Sequence, residues 1–274
     1  MRRGAFSIDL ADAAFCKVVR PPDDSFKTKN MKSTACFALL LLQGYFLPNA
    51  FAQTMTAQES RIIVNHGGWE LIGDLRLPDQ DGQKPVVLML NQADGDRMVY
   101  EQLAIHLSDR GVASLRIDLR GHGESTNIGA FVPGEHRRDP LIWDAEQDVV
   151  AVHDYLKSHV DIDASKIAIV GASYSGEEMA EAARLHEPAS AYVALSPGSF
   201  SEASIANIDE SGVPWLLVTA KHDRFLQEIT ASIQAQSEAT EIIILPGRGH
   251  ATNLLQEVDG LAERLAVWLA EKLG

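Results

Sequence analysis

Residues 166–180 read KIAIVGASYSGEEMA, and this stretch indicates the fold. Residues 167–170 are apolar and mostly β-branched, which is typical of a short strand buried in a parallel sheet. A turn of small residues (171–176) follows, and a helix-forming run begins at Glu177. A serine placed between a strand and a helix, with small residues two positions to either side, predicts a nucleophile elbow with Ser173 at its apex.

The elbow is expected to hold Ser173 on a strained backbone, with its hydroxyl above the sheet and a helix N-terminus behind it that favours negative charge. The pattern departs from Gly-x-Ser-x-Gly, because Ser175 takes the second glycine position and Gly176 follows one residue later. An ordinary serine-rich turn between a strand and a helix is the alternative explanation of these letters.

Composition bounds the classes of protein to which the chain can belong. It has 274 residues, 46% of them hydrophobic, and a formal net charge of -14. This length supports one sizeable core, so we expect a single folded domain. The acidic balance disfavours nucleic acid as a partner, because nucleic acid is bound through clustered Lys and Arg, and it disfavours anionic membrane surfaces. No His, Asp or Glu cluster has metal-binding spacing, so neither a metal nor another cofactor is expected.

A secretory signal peptide is predicted over residues 31–52. It has a basic start, an apolar stretch and the small-x-small sequence Ala-Phe-Ala before Gln53. Cleavage near Ala52 would release residues 53–274 as a secreted or periplasmic domain. Residues 1–30 are polar and lack useful periodicity, so our hypothesis is that translation starts at Met31. A disordered N-terminal arm with an uncleaved anchor is the alternative.

Cysteine chemistry is not expected in the folded domain. Cys16 and Cys36 both precede the predicted cleavage point. Residues 53–274 therefore offer neither a disulfide nor a thiolate nucleophile.

Strands and helices alternate after the leader. Predicted strands cover residues 61–65, 69–76, 86–90, 112–117, 167–170, 191–195, 215–219 and 241–245, and predicted helices cover 98–108, 143–155, 177–185, 225–236 and 258–273. The first two strands predict an antiparallel hairpin, and the rest predict an α/β fold: a mostly parallel eight-stranded sheet with helices on both faces. The connection 196–212 leaves room for a short helix at most, so no large lid domain is expected.

Two later strand ends supply partners for the serine. A serine hydroxyl needs a base that is neutral near pH 7, and a carboxylate should orient that base. Asp223 follows the strand 215–219, and His250 lies on the glycine-rich loop after 241–245. The order Ser, Asp, His along the chain is that of an α/β-hydrolase triad.

Each partner has a competing explanation. Asp223 could instead cap the following helix, and His250 could be a loop histidine that packs on Trp215. His222, next to Asp223, is expected to point away from the site. The other histidines considered lie on the hairpin turn or near helices and are interpreted as surface or packing residues: His66, His106, His153, His159 and His186.

An oxyanion formed in acyl transfer must be met by preorganised backbone N–H groups. One is expected from Tyr174, directly after the serine. The second is expected from the loop that follows the strand 86–90, at Ala93.

The chain from about residue 61 onward resembles the α/β-hydrolases, and among them the small serine esterases around the dienelactone hydrolases. The matching pieces are VVLMLNQADG (86–95), RIDLRGHGES (116–125), IVGASYSG (169–176), TAKHDRF (219–225) and PGRGH (246–250). The resemblance implies Ser173 as nucleophile, Asp223 as acid, His250 as base and Tyr174 and Ala93 as oxyanion donors. It implies that His122, in the motif 116–125, has a structural role and no catalytic one.

Two departures bear on the expected activity. Many family members have His-Gly where this chain has Asn91-Gln92. Loss of that glycine stiffens the loop and could reposition the N–H of Ala93, the second expected oxyanion donor. The Gln92 side chain could also contribute to binding the oxyanion. Dienelactone hydrolases proper use cysteine as nucleophile, which puts their particular substrate in doubt here. We expect a secreted serine hydrolase that cleaves small acyl esters. A peptidase or acyltransferase with the same triad, and a catalytically silent binding protein, are the alternatives; the sequence leaves the oligomeric state open.

Overall fold

The computed structural model describes residues 56–133, 140–198, 200–235, 237 and 240–274, with residues 224 and 225 described by their backbone alone. The predicted leader, residues 1–52, lies outside the described residues. One sheet of eight strands runs in the order β1-β2-β4-β3-β5-β6-β7-β8. The strands are β1 (Ala57–His66), β2 (Trp69–Pro78), β3 (Lys84–Leu90), β4 (Ala113–Ile117), β5 (Ile162–Ala172), β6 (Ala191–Leu195), β7 (Trp215–Ala220) and β8 (Thr240–Leu245).

The sheet is antiparallel only at its start. β1 pairs with β2, and β2 with β4, in antiparallel register, whereas every later neighbour pair is parallel. The predicted eight-stranded, mostly parallel sheet is therefore confirmed. β3 lies between β4 and β5, which agrees with its uninterrupted apolar sequence, because a central parallel strand is buried on both faces.

Eight α-helices are described in the same residues. They are α1 (Glu101–Ser108), α2 (Pro140–Trp143), α3 (Glu146–Ser158), α4 (Tyr174–Leu185), α5 (Glu202–Ser211), α6 (Arg224–Gln234), α7 (Asn253–Glu257) and α8 (Leu261–Leu273). The predicted helix 98–108 begins with a 3-10 turn, Arg97–Tyr100. The predicted terminal helix 258–273 begins only at Leu261, because Gly260 before it has a left-handed φ of 73°.

The helices cover both faces of the sheet. Alternate residues of β3 divide between two buried cores: Val86 and Leu88 belong to the core that includes residues of α3 and α4, and Val87 and Met89 to the core of α1 and α8. This division follows from the two-residue period of a strand. A single sheet with a core on each face holds its strand ends in fixed positions, and the site depends on this.

Two elements are longer than the sequence predicts. β5 has 11 residues, although only four were predicted, because its first half is polar and partly exposed and so escapes an apolar-run criterion. The connection 196–212 contains α5, a helix of ten residues that ends at Ser211 and is followed by Gly212 with a left-handed φ of 62°. No large lid domain is present among the described residues. Nor is any helix in this part of the chain long and apolar enough to cross a membrane.

Candidate active site

Ser173 lies at the turn between β5 and α4 and has φ 54° and ψ -121°. A positive φ is unfavourable for a residue with a Cβ, and such backbone costs on the order of 1–3 kcal/mol. The turn is held from the next strand, because the Ser173 N–H donates to the Leu195 carbonyl at 2.9 Å. The backbone therefore has the strained geometry expected of a nucleophile elbow.

Gly171 and Ser175 make this turn sterically possible. A Cβ on Gly171 would lie 2.6 Å from the carbonyl oxygen of Ser175, so the start of α4 approaches the end of β5 too closely for any larger residue. The Ser175 hydroxyl accepts the Ala172 N–H at 2.8 Å and donates to the Ala172 carbonyl at 3.0 Å. Ser175 thus stands where the usual pattern has glycine, and its side chain hydrogen-bonds back to the residue before Ser173.

The structure brings Ser173, His250 and Asp223 together. His250 Nε2 lies 3.1 Å from Ser173 Oγ, and His250 Nδ1 lies 3.6 Å from Asp223 Oδ2. The loops that carry the two partners are joined through their backbones, since the His222 N–H donates to the Gly247 carbonyl at 3.3 Å. Parallel pairing of β7 with β8 thereby continues beyond the strands and sets Asp223 beside His250.

Asp223 lies near both of the groups that its two competing explanations name. Its Oδ1 accepts the Leu226 N–H at 3.3 Å and so caps α6, while Oδ2 faces the imidazole of His250. One carboxylate can do both because its two oxygens accept independently. Trp215, the rival contact suggested for His250, is instead buried in a stack with Tyr192, with ring centroids 4.3 Å apart.

The neighbouring histidines occupy other surroundings. His222 is exposed at the end of β7. The other five lie in β1, α1 and α3 and just after α3 and α4, in the order His66, His106, His153, His159 and His186. Burial lowers the pKa of His153, which favours its neutral form.

Tyr174, the first residue of α4, has a buried side chain. Its ring stacks on His122 with centroids 5.4 Å apart, and His122 stacks on Phe131 at 4.8 Å. Burial raises the Tyr174 pKa well above its usual value, although a hydrogen bond with the Asn91 side chain opposes this shift. His122 therefore packs beneath the residue whose N–H is the first predicted oxyanion donor.

The second predicted donor, Ala93, lies in a turn in which the Gly95 N–H donates to the Gln92 carbonyl at 3.1 Å. The Asn91 side chain holds this turn in place through two hydrogen bonds. Its Oδ1 accepts the Leu119 N–H at 2.8 Å, and its Nδ2 donates to the Gln92 carbonyl at 2.9 Å. The two residues that depart from His-Gly therefore form part of the loop's support.

The sequence did not indicate which residues, distant along the chain, hold this loop in place. Gln92 Oε1 accepts two hydrogen bonds from Thr252, at 2.9 and 2.8 Å, and Thr252 is two residues beyond His250. Farther along, Arg97 donates to Asp118 from its backbone and its guanidinium. The departure at Asn91-Gln92 was the signal in the sequence, but nothing local identified Thr252 as the partner.

Among the described residues, no group of three or more His, Cys, Asp or Glu side chains is arranged to hold a metal ion. The residues that meet at the carboxyl ends of β5, β7 and β8 are instead a hydroxyl, an imidazole and a carboxylate. Ligand sites of parallel sheets lie at this edge.

The sheet order and the strand–elbow–helix unit define an α/β-hydrolase. The family described as X-Pro dipeptidyl-peptidase (S15 family) matches residues 67–205, just over half of the 274 residues, and the chain belongs to this family. The resemblance to α/β-hydrolases inferred from the sequence is therefore confirmed, and the chain is a member of a hydrolase family.

Relatives with similar sequences include an uncharacterized protein of Mycobacterium tuberculosis, found in strains H37Rv and CDC 1551. It is 28% identical over 170 residues, which cover 62% of this chain and 54% of that protein. The chain thus spans about half the length of the curated relatives it matches.

Solved structures with the same fold include a dienelactone hydrolase from Anabaena variabilis, with TM-score 0.61 and 22% identity over 78% of this chain and 96% of that one. EstE1, a thermophilic carboxylesterase cloned from a metagenomic library, has TM-score 0.60 and 16% identity over 81% and 92% of the two chains. Est1E from Butyrivibrio proteoclasticus, solved with ferulic acid, has TM-score 0.60 and 18% identity over 77% and 96%. At these identities the likeness establishes the fold.

Proposed function

We propose that this protein is a serine hydrolase that cleaves small carboxylic esters through Ser173, His250 and Asp223. The observation that carries the proposal is the 3.1 Å approach of His250 Nε2 to Ser173 Oγ, with Asp223 Oδ2 on the far side of the same imidazole. A base within hydrogen-bonding reach of a hydroxyl and a carboxylate behind that base are the requirements for activating serine.

In the first half-reaction, Ser173 Oγ attacks the ester carbonyl while His250 Nε2 takes the hydroxyl proton. Asp223 holds Nδ1 protonated and stabilises the imidazolium that results. The backbone N–H groups of Tyr174 and Ala93 are proposed to meet the oxyanion. When the tetrahedral intermediate collapses, the carbon–oxygen bond to the leaving alkoxide breaks, and the alkoxide takes the proton from His250.

In the second half-reaction, water replaces the alcohol. His250 removes a proton from the water, the hydroxide attacks the acyl-enzyme, and Ser173 leaves with the proton that His250 returns. The products are a carboxylic acid and a free enzyme. The exposure of the His250 side chain, 46%, is consistent with an open site that small esters reach without a large lid.

Peptide hydrolysis is the second candidate, because the family that matches the chain is described as X-Pro dipeptidyl-peptidase. The triad chemistry is the same, but an amide leaves as an amine, which must be protonated by His250 before it departs. The preference for an ester or a peptide substrate therefore depends on the substrate pocket. It is tested by comparing turnover of one substrate of each kind.

The first experiment is labelling of the full-length protein with a fluorophosphonate. We expect wild type and His222→Gln to be labelled, Ser173→Ala to be unlabelled, and His250→Gln to react at least about 1,000-fold more slowly, because removal of a triad base costs several orders of magnitude. His222→Gln is the matched control, since His222 is an exposed histidine on the neighbouring strand end. A folded wild type that resists labelling would refute the proposal and favour a silent binding protein.

Turnover of p-nitrophenyl butyrate is then compared with that of alanyl-prolyl-p-nitroanilide. Higher kcat/KM for the ester supports the esterase, and higher kcat/KM for the dipeptide derivative supports the peptidase.

Secretion is a separate proposal that rests on residues 31–52, and N-terminal sequencing of the exported protein is expected to begin near Gln53. A mature protein that keeps residues 1–30 would contradict it.

A further inference from the structure

Gln92 connects two loops of the candidate site that are 160 residues apart in sequence. Its side-chain oxygen accepts the backbone N–H of Thr252 at 2.9 Å and the Thr252 hydroxyl at 2.8 Å. Thr252 is buried, with 3% of its surface exposed, whereas Gln92 is half-buried. Loss of the acceptor would leave the N–H and the hydroxyl of a buried residue without this partner, which is unfavourable.

The bonds hold a strained segment that carries His250. Ala251, between His250 and Thr252, has φ 53° and is fully buried. Thr252 directly precedes α7, yet its hydroxyl makes no capping hydrogen bond there and donates to Gln92 instead. A left-handed alanine persists only where its surroundings enforce it. Gln92 supplies part of that restraint one residue away.

Gln92 is equally fixed at its own backbone. Its carbonyl accepts the Gly95 N–H and the Asn91 side-chain amide. The Gln92 carbonyl and the Ala93 N–H belong to one planar peptide unit and point in opposite directions. The two bonds to the carbonyl therefore also set the direction of the Ala93 N–H.

We propose that Gln92 is a positioning residue that fixes the base His250 relative to the oxyanion donor Ala93. Its side chain holds the loop of the histidine, and its peptide unit sets the direction of the donor. This inference rests on the proposed function. It gives the departure from His-Gly a role, because glycine at residue 92 has no side chain with which to reach Thr252.

The test compares Gln92→Met, Thr252→Val and the double variant in the full-length protein. Methionine keeps the length of the side chain and lacks the acceptor. We expect Gln92→Met to lower kcat about 30-fold with KM within about twofold, since displacement of a catalytic group by about 1 Å costs up to 100-fold. The double variant is expected to be no slower than Gln92→Met alone, because both substitutions break the same contact.

Two further variants separate positioning from general damage. Gln92→Glu keeps an acceptor oxygen and is expected to recover kcat to within about threefold of wild type. Gln80 is the matched control, because it also joins two loops through its carboxamide, donating to the Gly111 carbonyl at 2.8 Å. Gln80→Met is expected to leave kcat unchanged. Circular dichroism melting establishes that each variant is folded, and Thr252→Val, which keeps the backbone N–H donor, is the milder variant if Gln92→Met does not fold.

The possible outcomes distinguish failure of this inference from failure of the proposed function. A kcat for Gln92→Met within twofold of wild type, or strictly additive losses in the double variant, would overturn the inference while leaving the serine hydrolase intact. If wild type is neither labelled nor active, the proposed function fails, and amide hydrogen exchange still tests the contact. Exchange at Thr252 is then expected to quicken in Gln92→Met, and unchanged protection would refute the restraint.

Discussion

Glu178 offers a quantitative test of the fold's electrostatics. It lies in α4 with only 4% of its surface exposed. Burial, and then repulsion by the carboxylates of Glu146 and Glu177, raise its pKa from 4.5 to about 9, against the opposing effect of a hydrogen bond from the Glu146 N–H. Substitution Glu178→Gln keeps an acceptor for that N–H and removes the ionisable proton.

The sign follows from where the proton is bound. Between pH 4.5 and about 9 the folded protein keeps Glu178 protonated, whereas the unfolded chain ionises it, so ionisation favours unfolding as pH rises. Each pH unit then lowers the free energy of unfolding by about 1.4 kcal/mol. From pH 5.5 to 7.5 this group costs the wild type about 3 kcal/mol, a loss that Glu178→Gln does not share.

The assay is urea unfolding followed by tryptophan fluorescence at pH 5.5 and 7.5, with linear extrapolation to water. The quantity of interest is the free energy of unfolding of Glu178→Gln minus that of wild type, which is expected to rise by about 3 kcal/mol between the two pH values. Groups common to both proteins cancel in this difference.

Glu181, one turn before the end of α4, is the matched control. Although burial opposes the shift, hydrogen bonds from Ser201, Ser204 and Arg184 lower the pKa of Glu181 below its ordinary value. Its stabilising effect is fully present at both pH values, so Glu181→Gln should destabilise the protein equally at pH 5.5 and 7.5. A Glu178→Gln difference that is equally constant, within about 0.5 kcal/mol, would show that Glu178 ionises normally in the fold and would refute the reasoning.

Two further substitutions probe the strained turn and a buried ion pair. Ser173→Gly should be more stable than Ser173→Ala by about 1 kcal/mol, because glycine adopts the φ of 54° without strain; equal melting temperatures would contradict strain at the elbow. Arg97→Met should destabilise the protein by about 3–5 kcal/mol in urea unfolding, since it leaves the fully buried Asp118 without its guanidinium partner; a loss below about 1 kcal/mol would mean that Asp118 is not held as a buried anion.

Much of the fold could be predicted because its signals are local. The apolar run 86–90 and the alternation of strands with helices required only short windows of sequence, and both appear in the structure as β3 and the α/β sheet. Boundaries were less accurate where burial changes along one element. The first half of β5 is mostly polar and partly exposed, and it continues the strand back to Ile162, which pairs with Lys84 of β3, so an apolar run does not reveal it.

The candidate site divides in the same way. Ser173 could be predicted as the apex of the elbow because the turn depends on its immediate neighbours, and Gly171 and Ser175 act within a few residues of it. Asp223 and His250 could be proposed as its partners from the order of strand ends. Their distances could not, because these depend on how β7 and β8 pair and on the backbone bond between their loops.

The sequence by itself determined the strand–turn–helix unit around Ser173, the parallel α/β class and the residue types available at the strand ends. Only the tertiary structure decided that Asp223 caps α6 with one oxygen while the other lies 3.6 Å from His250 Nδ1, and that Gln92 hydrogen-bonds to Thr252. The physical reason is range. Backbone preferences and hydrophobic periodicity act over a few residues, whereas a hydrogen bond between residues 92 and 252 exists only after the whole sheet has placed its loops side by side.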